Sequence, residues 1–121
     1  MVKTRSLYDP PEPSDGDRIL VTRYWPRGIS RDRLAITDWL QNLAPSKELL
    51  WDWKKQRITW QEYTVRYGKE MRGQQAAIKD LADRARNGTI SLLCFEREDD
   101  LCCHRHLLKE LIEQHGQITE Q

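Results

Sequence analysis

All three cysteines of the chain and two of its three histidines lie between Cys94 and His106, in the stretch CFEREDDLCCHRH. Thiols and imidazoles are the side chains that bind soft metal ions, attack electrophiles and carry protons near neutral pH. Glu96 and Arg105 add a carboxylate and a guanidinium to the same stretch. Such a cluster is typical of a metal site, a reactive thiol or an anion pocket, and the rest of the sequence must distinguish them.

The spacing of these residues argues against a metal site. Zinc ligands usually come in two pairs, each pair separated by two to four residues, and this arrangement does not occur here. In a helix that begins at this point, His104 points inward because it stands three and four residues before Leu107 and Leu108. His106 then lies on the solvated face, so the two imidazoles do not serve one ion. We therefore expect no metal and no other cofactor.

A reactive thiol fits the cluster better. A cysteine at a helix N-terminus meets the positive end of the helix dipole, which lowers its pKa, and Cys103 holds that position. His104 and Glu96 could move protons, and Glu96 could also orient an arginine. The catalytic candidates are Glu96, His104 and Cys103. Cys94 belongs to an apolar run and is expected to fill space beside a sheet.

An anion pocket is the third alternative. Arg23, Arg27 and Arg105, together with free N–H groups at a helix start, could hold a phosphate or a carboxylate. Trp25 lies between two of these arginines in the sequence and could stack on a base or a sugar ring. The expected ligand is a small anionic molecule, phosphate or nucleotide-like, and catalysis on it is an open question.

Length and charge exclude several classes of protein. The 121 residues suffice for one domain, residues 1–121, with a core that needs no disulfide or metal. No apolar run approaches the roughly 18 residues needed to cross a bilayer, and the N-terminus lacks a signal-peptide core. We expect a cytoplasmic protein without membrane contacts. The formal net charge of +1 gives no general attraction to nucleic acid.

The alternative function is a binding or regulatory module without catalysis. The range Lys54–Arg72 carries six basic residues against two glutamates. On one face they would form a patch able to contact nucleic acid or a partner protein. Trp51 and Trp53 could add an exposed apolar surface and make the chain a homodimer. A polar network that only fixes a helix on the sheet is a third, purely structural alternative.

Hydrophobic patterning predicts a small α/β fold. The runs 18–25 and 89–95 read as buried strands, and the range 2–8 could add an edge strand. Ser30 is a plausible N-cap for a helix through residue 43, and Ser46 could cap a short turn. Thr59 and Glu62 form a capping box before a long helix that Gly73 could divide. The last helix starts near Cys102 or Cys103, and Gly116 is expected to end it.

This order of strands and helices predicts a mostly parallel sheet of about three to four strands covered by helices. Ligands of such sheets bind beyond the carboxyl ends of the strands. Arg23, Trp25 and Arg27 follow the first buried strand, and the cysteine and histidine cluster follows the second. The two segments meet at one edge of the sheet if these strands are neighbours.

Two long motifs carry a family resemblance. The segment YDPPEPSDGDRILVTRYWPRG resembles the start of the YeaO-like branch of the domain of unknown function 488 family, and LLCFEREDDLCCHRHLL resembles its other hallmark. The likeness covers nearly the whole chain and implies a fold and a site rather than a known reaction. The positions that match the family pattern are Tyr8, Asp9, Ser14, Asp15, Gly16, Arg23, Trp25, Pro26, Arg27, Gly28, Cys94, Glu96, Cys103, His104 and Arg105.

Overall fold

A computed structural model describes residues 1–95 and 102–120, the last five of them by their backbone alone. The strands are β1 (Val2–Ser6), β2 (Asp17–Leu20), β3 (Asp38–Trp39) and β4 (Ile90–Cys94). The α-helices are α1 (Arg31–Leu34), α2 (Lys47–Lys54), α3 (Trp60–Met71), α4 (Gln75–Asn87) and α5 (His104–Glu120). Short 3-10 turns occur at Pro13–Asp15, Gln41–Leu43 and Arg72–Gln74.

The strands form one sheet in the order β1-β4-β2-β3, and each neighbouring pair is parallel. This confirms the predicted α/β class, including the edge strand at the N-terminus. β4 lies between β1 and β2, with Leu92 opposite both Thr4 and Ile19. The carboxyl ends of β2 and β4 therefore lie side by side, which is the condition under which the two polar segments meet.

The two faces of the sheet bury different sets of side chains. Along β4, Ile90 and Leu92 face the larger core, which α3, α4 and α5 cover, and Leu93 faces the opposite side. Because side chains alternate along a strand, Cys94 continues the row of Ile90 and Leu92 toward α3 and α5. The smaller core on the other face includes Leu20 and the edge-to-face pair of Trp25 and Trp39.

The helix predicted from Ser30 through residue 43 is wrong beyond its first turn. Ser30 does cap α1, since its hydroxyl accepts a hydrogen bond from the backbone N–H of Arg33. Ala35 then adopts the left-handed conformation with φ 53° and ends the helix. The chain instead adds β3 to the sheet, and the indole N–H of Trp39 donates to the carbonyl of Thr22 at 2.8 Å. These tertiary contacts override the helical pattern.

The other helix boundaries largely follow the sequence signals. Thr59 and Glu62 form the predicted capping box of α3, and a 3-10 turn that contains Gly73 separates α3 from α4. Ser46 caps α2, which is longer than the short turn expected there. Gly116 does not end α5, whose backbone stays helical to Glu120. A glycine inside a helix costs only about 1 kcal/mol, so it weakens a helix without stopping it.

A buried carboxylate, that of Asp15, connects β1 and β2 through hydrogen bonds. Asp15 is fully buried, and its carboxylate accepts hydrogen bonds from Arg5 at 2.9 Å and from Arg18 at 2.5 Å. Arg18 also donates to the carbonyl of Leu34 at the end of α1. Asp15 and Arg18 together therefore join β1, β2 and α1.

Candidate functional site

A partly enclosed cavity of about 130 Å³ opens at the carboxyl ends of β2 and β4. It lies where a parallel sheet with this topology is expected to bind a ligand. One wall follows β2, a second belongs to α2 and α3, and a third is formed by the end of β4 and the start of α5. The described residues that line it are Thr22, Arg23, Tyr24, Pro45, Leu50, Trp53, Lys54, Tyr63, Cys94, Phe95, Cys102, Cys103 and His104.

His104 is held in one orientation at the inner end of the cavity. Its side chain is buried, and its Nε2 lies 2.7 Å from the backbone carbonyl of Val21. A carbonyl oxygen can only accept, so Nε2 carries the proton and Nδ1 presents a lone pair. Tyr67 contacts the other side of the imidazole, with ring centroids 5.8 Å apart. In the neutral form of the imidazole, Nδ1 is therefore the nitrogen that can accept a proton.

Two buried thiols lie next to that nitrogen. The sulfur of Cys94 is 3.8 Å from Nδ1 of His104, and the sulfur of Cys103 is 3.9 Å from it. The three atoms all lie within 4.8 Å of one another. Cys102 is exposed although it lines the same cavity. The structure thus brings together a strand-end cysteine and a helix-start cysteine that are nine positions apart in the sequence.

The environment of Cys103 differs from the one expected at a helix start. A hydrogen bond with Cys94 and, next, burial raise the pKa of the Cys103 thiol, and the contact with His104 offsets them only in part. The expectation of a lowered pKa was wrong because the sequence does not show that the side chain turns inward against a second thiol. Cys103 keeps its proton at neutral pH and can donate it in a hydrogen bond to Cys94.

Among the described residues that line the cavity, Arg23 and Lys54 are the arginine and the lysine. Arg23 lines it, with its Nε donating to the carbonyl of Pro45 at 2.8 Å, and Lys54 lines it from the last turn of α2. Sequence reasoning named Arg23 for this site but placed Lys54 in the basic range Lys54–Arg72 of the alternative function. The sequence contains only a weak sign that Lys54 belongs to the site. Lys54 is next to Trp53 and four residues after Leu50, but the turn that begins at Ser46 was expected to end before it.

The other predicted anion-binding residues do not line the described walls of this cavity. Arg27 is exposed. Arg105 is completely buried, and it donates to the carbonyl of Arg5 at 3.0 Å, so it joins α5 to β1. Trp25 donates to the carbonyl of Ile29 and packs in the smaller core. Glu96, the predicted general base, lies outside the described residues.

The helix that carries Lys54 is fixed by its neighbours. The carboxylate of Glu70 in α3 accepts hydrogen bonds from the backbone N–H and the hydroxyl of Ser46, the N-cap of α2. At the other end of α2, Trp53 contacts Trp60 and Tyr63, with ring centroids 5.3 and 5.6 Å apart. These contacts hold one wall of the cavity at a set distance from the thiols.

Comparison with known proteins agrees with this architecture. Residues 2–116 match the family described as the "Active DUF488-N3 subclade". The chain belongs to the DUF488 family. This DUF488 chain is 36% identical over 92 residues to the protein YeaO of Escherichia coli strain K12, which covers 76% of this chain and 80% of that protein. It is also 36% identical over 80 residues to the protein Rv3073c of Mycobacterium tuberculosis strain H37Rv, covering 66% of this chain and 67% of that protein. No solved structure matches the chain.

The surface around α2 bears on the alternative function of this DUF488 chain. Arg57 and Arg66, two cations of the predicted basic patch, lie 3.5 and 2.7 Å from the carboxylate of Asp52. Trp51 is 54% exposed, and the ammonium group of Lys55 lies 4.8 Å from the centre of its ring. No helix in the described part of the chain has the length and apolar character needed to cross a membrane.

Proposed function

We propose that the cavity binds the phosphate-like anionic group of a small substrate next to a cysteine nucleophile, and that the thiolate attacks an electrophilic atom of that substrate, forming a bond to sulfur as a leaving group departs. The observation that supports this most directly is the sharing of one cavity by Arg23, Lys54, Cys94, Cys103 and His104. Cations that attract an anion and thiols that attack an electrophile are seldom neighbours without a shared substrate. The word "Active" in the description of the matching subclade also favours a reaction.

The size of the cavity limits the size of the ligand that it can enclose. Its volume of about 130 Å³ is well below the roughly 300–1,000 Å³ of pockets that enclose cofactor-sized molecules. A phosphate-sized group therefore fits, whereas a whole nucleotide would have to extend out of it. We infer an inorganic anion or the anionic end of a larger molecule as the ligand.

The nucleophile that we infer is Cys94, with His104 and Cys103 as its helpers. The proton of the Cys94 thiol passes to Nδ1 of His104, because the hydrogen bond from Nε2 to the carbonyl of Val21 orients the ring and makes Nδ1 the accepting nitrogen of the neutral imidazole. A cysteine paired with a base that is itself oriented by a third group is the usual arrangement of an activated thiol. The protonated thiol of Cys103 donates to the resulting thiolate. Arg23 and Lys54 hold the negative charge of the substrate.

Alkylation with two matched reagents tests both halves of this proposal. Iodoacetate is an anion and iodoacetamide is neutral, and each forms a sulfur–carbon bond as iodide leaves and the thiol proton goes to a base. Peptide mass spectrometry gives the rate at each cysteine. We expect the ratio of the iodoacetate rate to the iodoacetamide rate to be roughly tenfold higher at Cys94 than at exposed Cys102, which corresponds to about 1.4 kcal/mol of charge attraction. Inorganic phosphate should slow the reaction at Cys94 alone.

Three variants make the test specific. Arg23→Gln should reduce the ratio at Cys94 to that at Cys102, and Arg23→Lys should keep most of it because the charge remains. Arg27→Gln is the control, since Arg27 is exposed and lies away from the described walls of the cavity. Equal ratios at Cys94 and Cys102 in the unmodified protein would refute the anion site. An unreactive Cys94 toward both reagents would refute the nucleophile.

A further inference from the structure

We propose that Cys94, Cys103 and His104 form a binding site for one thiophilic divalent cation of the zinc class. This site does not depend on the reaction proposed above, because metal binding is measured without any substrate. The sequence argued against a metal, since no paired spacing of ligands occurs. The structure shows why that argument misses this site: one ligand ends a strand and the other two begin a helix.

The distances between the three ligand atoms are close to those of a tetrahedral zinc site. Zinc–sulfur bonds of about 2.3 Å and zinc–nitrogen bonds of about 2.0–2.1 Å place sulfur and nitrogen about 3.6 Å apart at tetrahedral angles. Nδ1 of His104 lies 3.8 Å from the sulfur of Cys94 and 3.9 Å from that of Cys103. All three atoms lie within 4.8 Å of one another, so the side chains would have to move closer together to complete the geometry.

The second nitrogen of His104 is already arranged as metal sites require. Histidine ligands nearly always donate their other ring N–H to a carbonyl or a carboxylate, which fixes the tautomer that binds the metal. Nε2 of His104 donates to the carbonyl of Val21 at 2.7 Å. The lone pair of Nδ1 is consequently directed toward the two sulfurs, and no change of tautomer is needed for an ion to bind.

Charge and burial also favour a divalent cation. All three side chains are buried, with 3%, 3% and 6% of their surfaces exposed for Cys94, Cys103 and His104. Two thiolates, one neutral imidazole and a divalent cation sum to zero charge, which is the least costly state for a buried ionic group. Sulfur and imidazole ligands select zinc and related soft ions over magnesium or calcium.

The fourth coordination position would open to the cavity. The described cluster supplies three protein ligands, and all of them line that cavity. Three protein ligands with an open position are typical of zinc sites that bind a water or a substrate, whereas structural sites are closed by four. A cation held here would also cover the Cys94 sulfur, so the metal-loaded protein should resist alkylation at Cys94 while Cys102 stays reactive.

Metal titration of the reduced, chelator-treated protein tests the site. We expect one Zn²⁺ per chain by competition with a chromophoric chelator, and a sulfur-to-cobalt charge-transfer band when Co²⁺ replaces it. Cys94→Ser, Cys103→Ser and His104→Asn should each weaken Zn²⁺ binding by at least a hundredfold. Cys102→Ser is the matched control, because it removes a neighbouring but exposed thiol, and it should keep the affinity within about threefold.

Two results would overturn the proposal. One is a full-length, folded protein that takes up no Zn²⁺ and shows no sulfur-to-cobalt band. The second is a loss of Zn²⁺ binding in Cys102→Ser with no loss in the three variants of the site, which would place the ion on the surface. If a variant fails to fold, the intensity of the cobalt band in the unmodified protein still shows how many thiolates bind the ion, since two thiolate ligands give about twice the absorption of one.

Discussion

At the scale of single residues, Asp15 shows how a sequence position can be essential without belonging to the site. Burial alone would raise the pKa of this carboxyl group. Hydrogen bonds from the backbone of Glu12 and from the guanidinium groups of Arg5 and Arg18 outweigh burial, and the pKa is lowered. Its charged form is therefore more favourable in the folded chain than in the unfolded chain.

We predict that Asp15→Asn lowers the free energy of unfolding at pH 7 by about 3 kcal/mol, because the buried Arg18 and the partly buried Arg5 lose their counter-charge. A lowered pKa contributes stability that is fully present above the unfolded value near 3.8 and is lost as the pH falls through the folded value. Urea unfolding between pH 7 and pH 2.5 should show this loss in the unmodified protein and a flatter profile in the variant.

Asp83→Asn is the control for that measurement. The pKa of Asp83 is also lowered, first by its hydrogen bond with Arg86, but this carboxylate is on the surface. Solvent screens such pairs, so the substitution should change stability little. If both variants lose the same stability, burial of Asp15 is not the cause.

The residue scale also shows what the sequence could indicate about the site. Cys103 and His104 were identified because adjacent polar residues at a helix start are visible in a local window. Cys94 was assigned to the core, and it is buried, but its position beside His104 depends on the pairing of β4 with β2. A local sequence pattern does not show which strands pair. It also does not show that Lys54 on α2 lines the same cavity.

At the scale of elements, Gly16 holds the start of β2 against the start of β4. Its φ is +63°, and a Cβ built there would lie 2.0 Å from the carbonyl oxygen of Thr89. That oxygen accepts the backbone N–H of Asp17 at 3.0 Å, directly before the paired residues of the two strands. A side chain at Gly16 would push these strands apart at the end opposite to the cavity.

We predict that Gly16→Ala lowers the free energy of unfolding by about 2–6 kcal/mol, the sum of backbone strain at φ 63° and ψ −138°, which glycine adopts more easily than alanine, and a steric overlap with backbone. Gly28→Ala is the matched control, since Gly28 also has a positive φ, +76°, with no atom within 4 Å of a built Cβ. It should cost only about 1–2 kcal/mol. Equal losses in denaturant unfolding would show that the contact with Thr89 is unimportant.

The elements that the sequence predicted well are those with local signals. The capping residues Ser30, Ser46 and Thr59 all act as N-caps, because a cap depends on the residues directly after it. The segment after Ala35 was misjudged because its apolar residues have helical spacing, whereas its conformation is set by pairing with β2 and by the contact of Trp39 with Thr22.

At the scale of the whole molecule, the charge distribution bears on the alternative of nucleic-acid binding. The net charge is +1, and the carboxylate of Asp52 lies between Arg57 and Arg66 within the predicted basic patch. Attraction to a phosphate backbone needs several unneutralised cations on one surface. The homodimer and the cytoplasmic location inferred from the sequence stay predictions.

We expect fluorescence anisotropy to show no binding of single- or double-stranded oligonucleotides at about 150 mM salt, because the patch is partly neutralised. Asp52→Asn releases two arginines and should raise the affinity at low salt, which makes it the sensitive comparison. Tight binding by the unmodified protein, with an affinity that falls steeply as salt rises, would instead favour the binding-module function.

The order of the strands has a consequence for how the chain is made. β1 and β2 are not paired with each other, because β4 lies between them, and Val2 is opposite Ile90. During synthesis from the N-terminus, both strands leave the ribosome long before the segment that joins them. Long-range pairing of this kind slows folding. We expect the nascent chain to remain open to chaperones and proteases until β4 emerges, and the sheet and the cavity to form together in one late step.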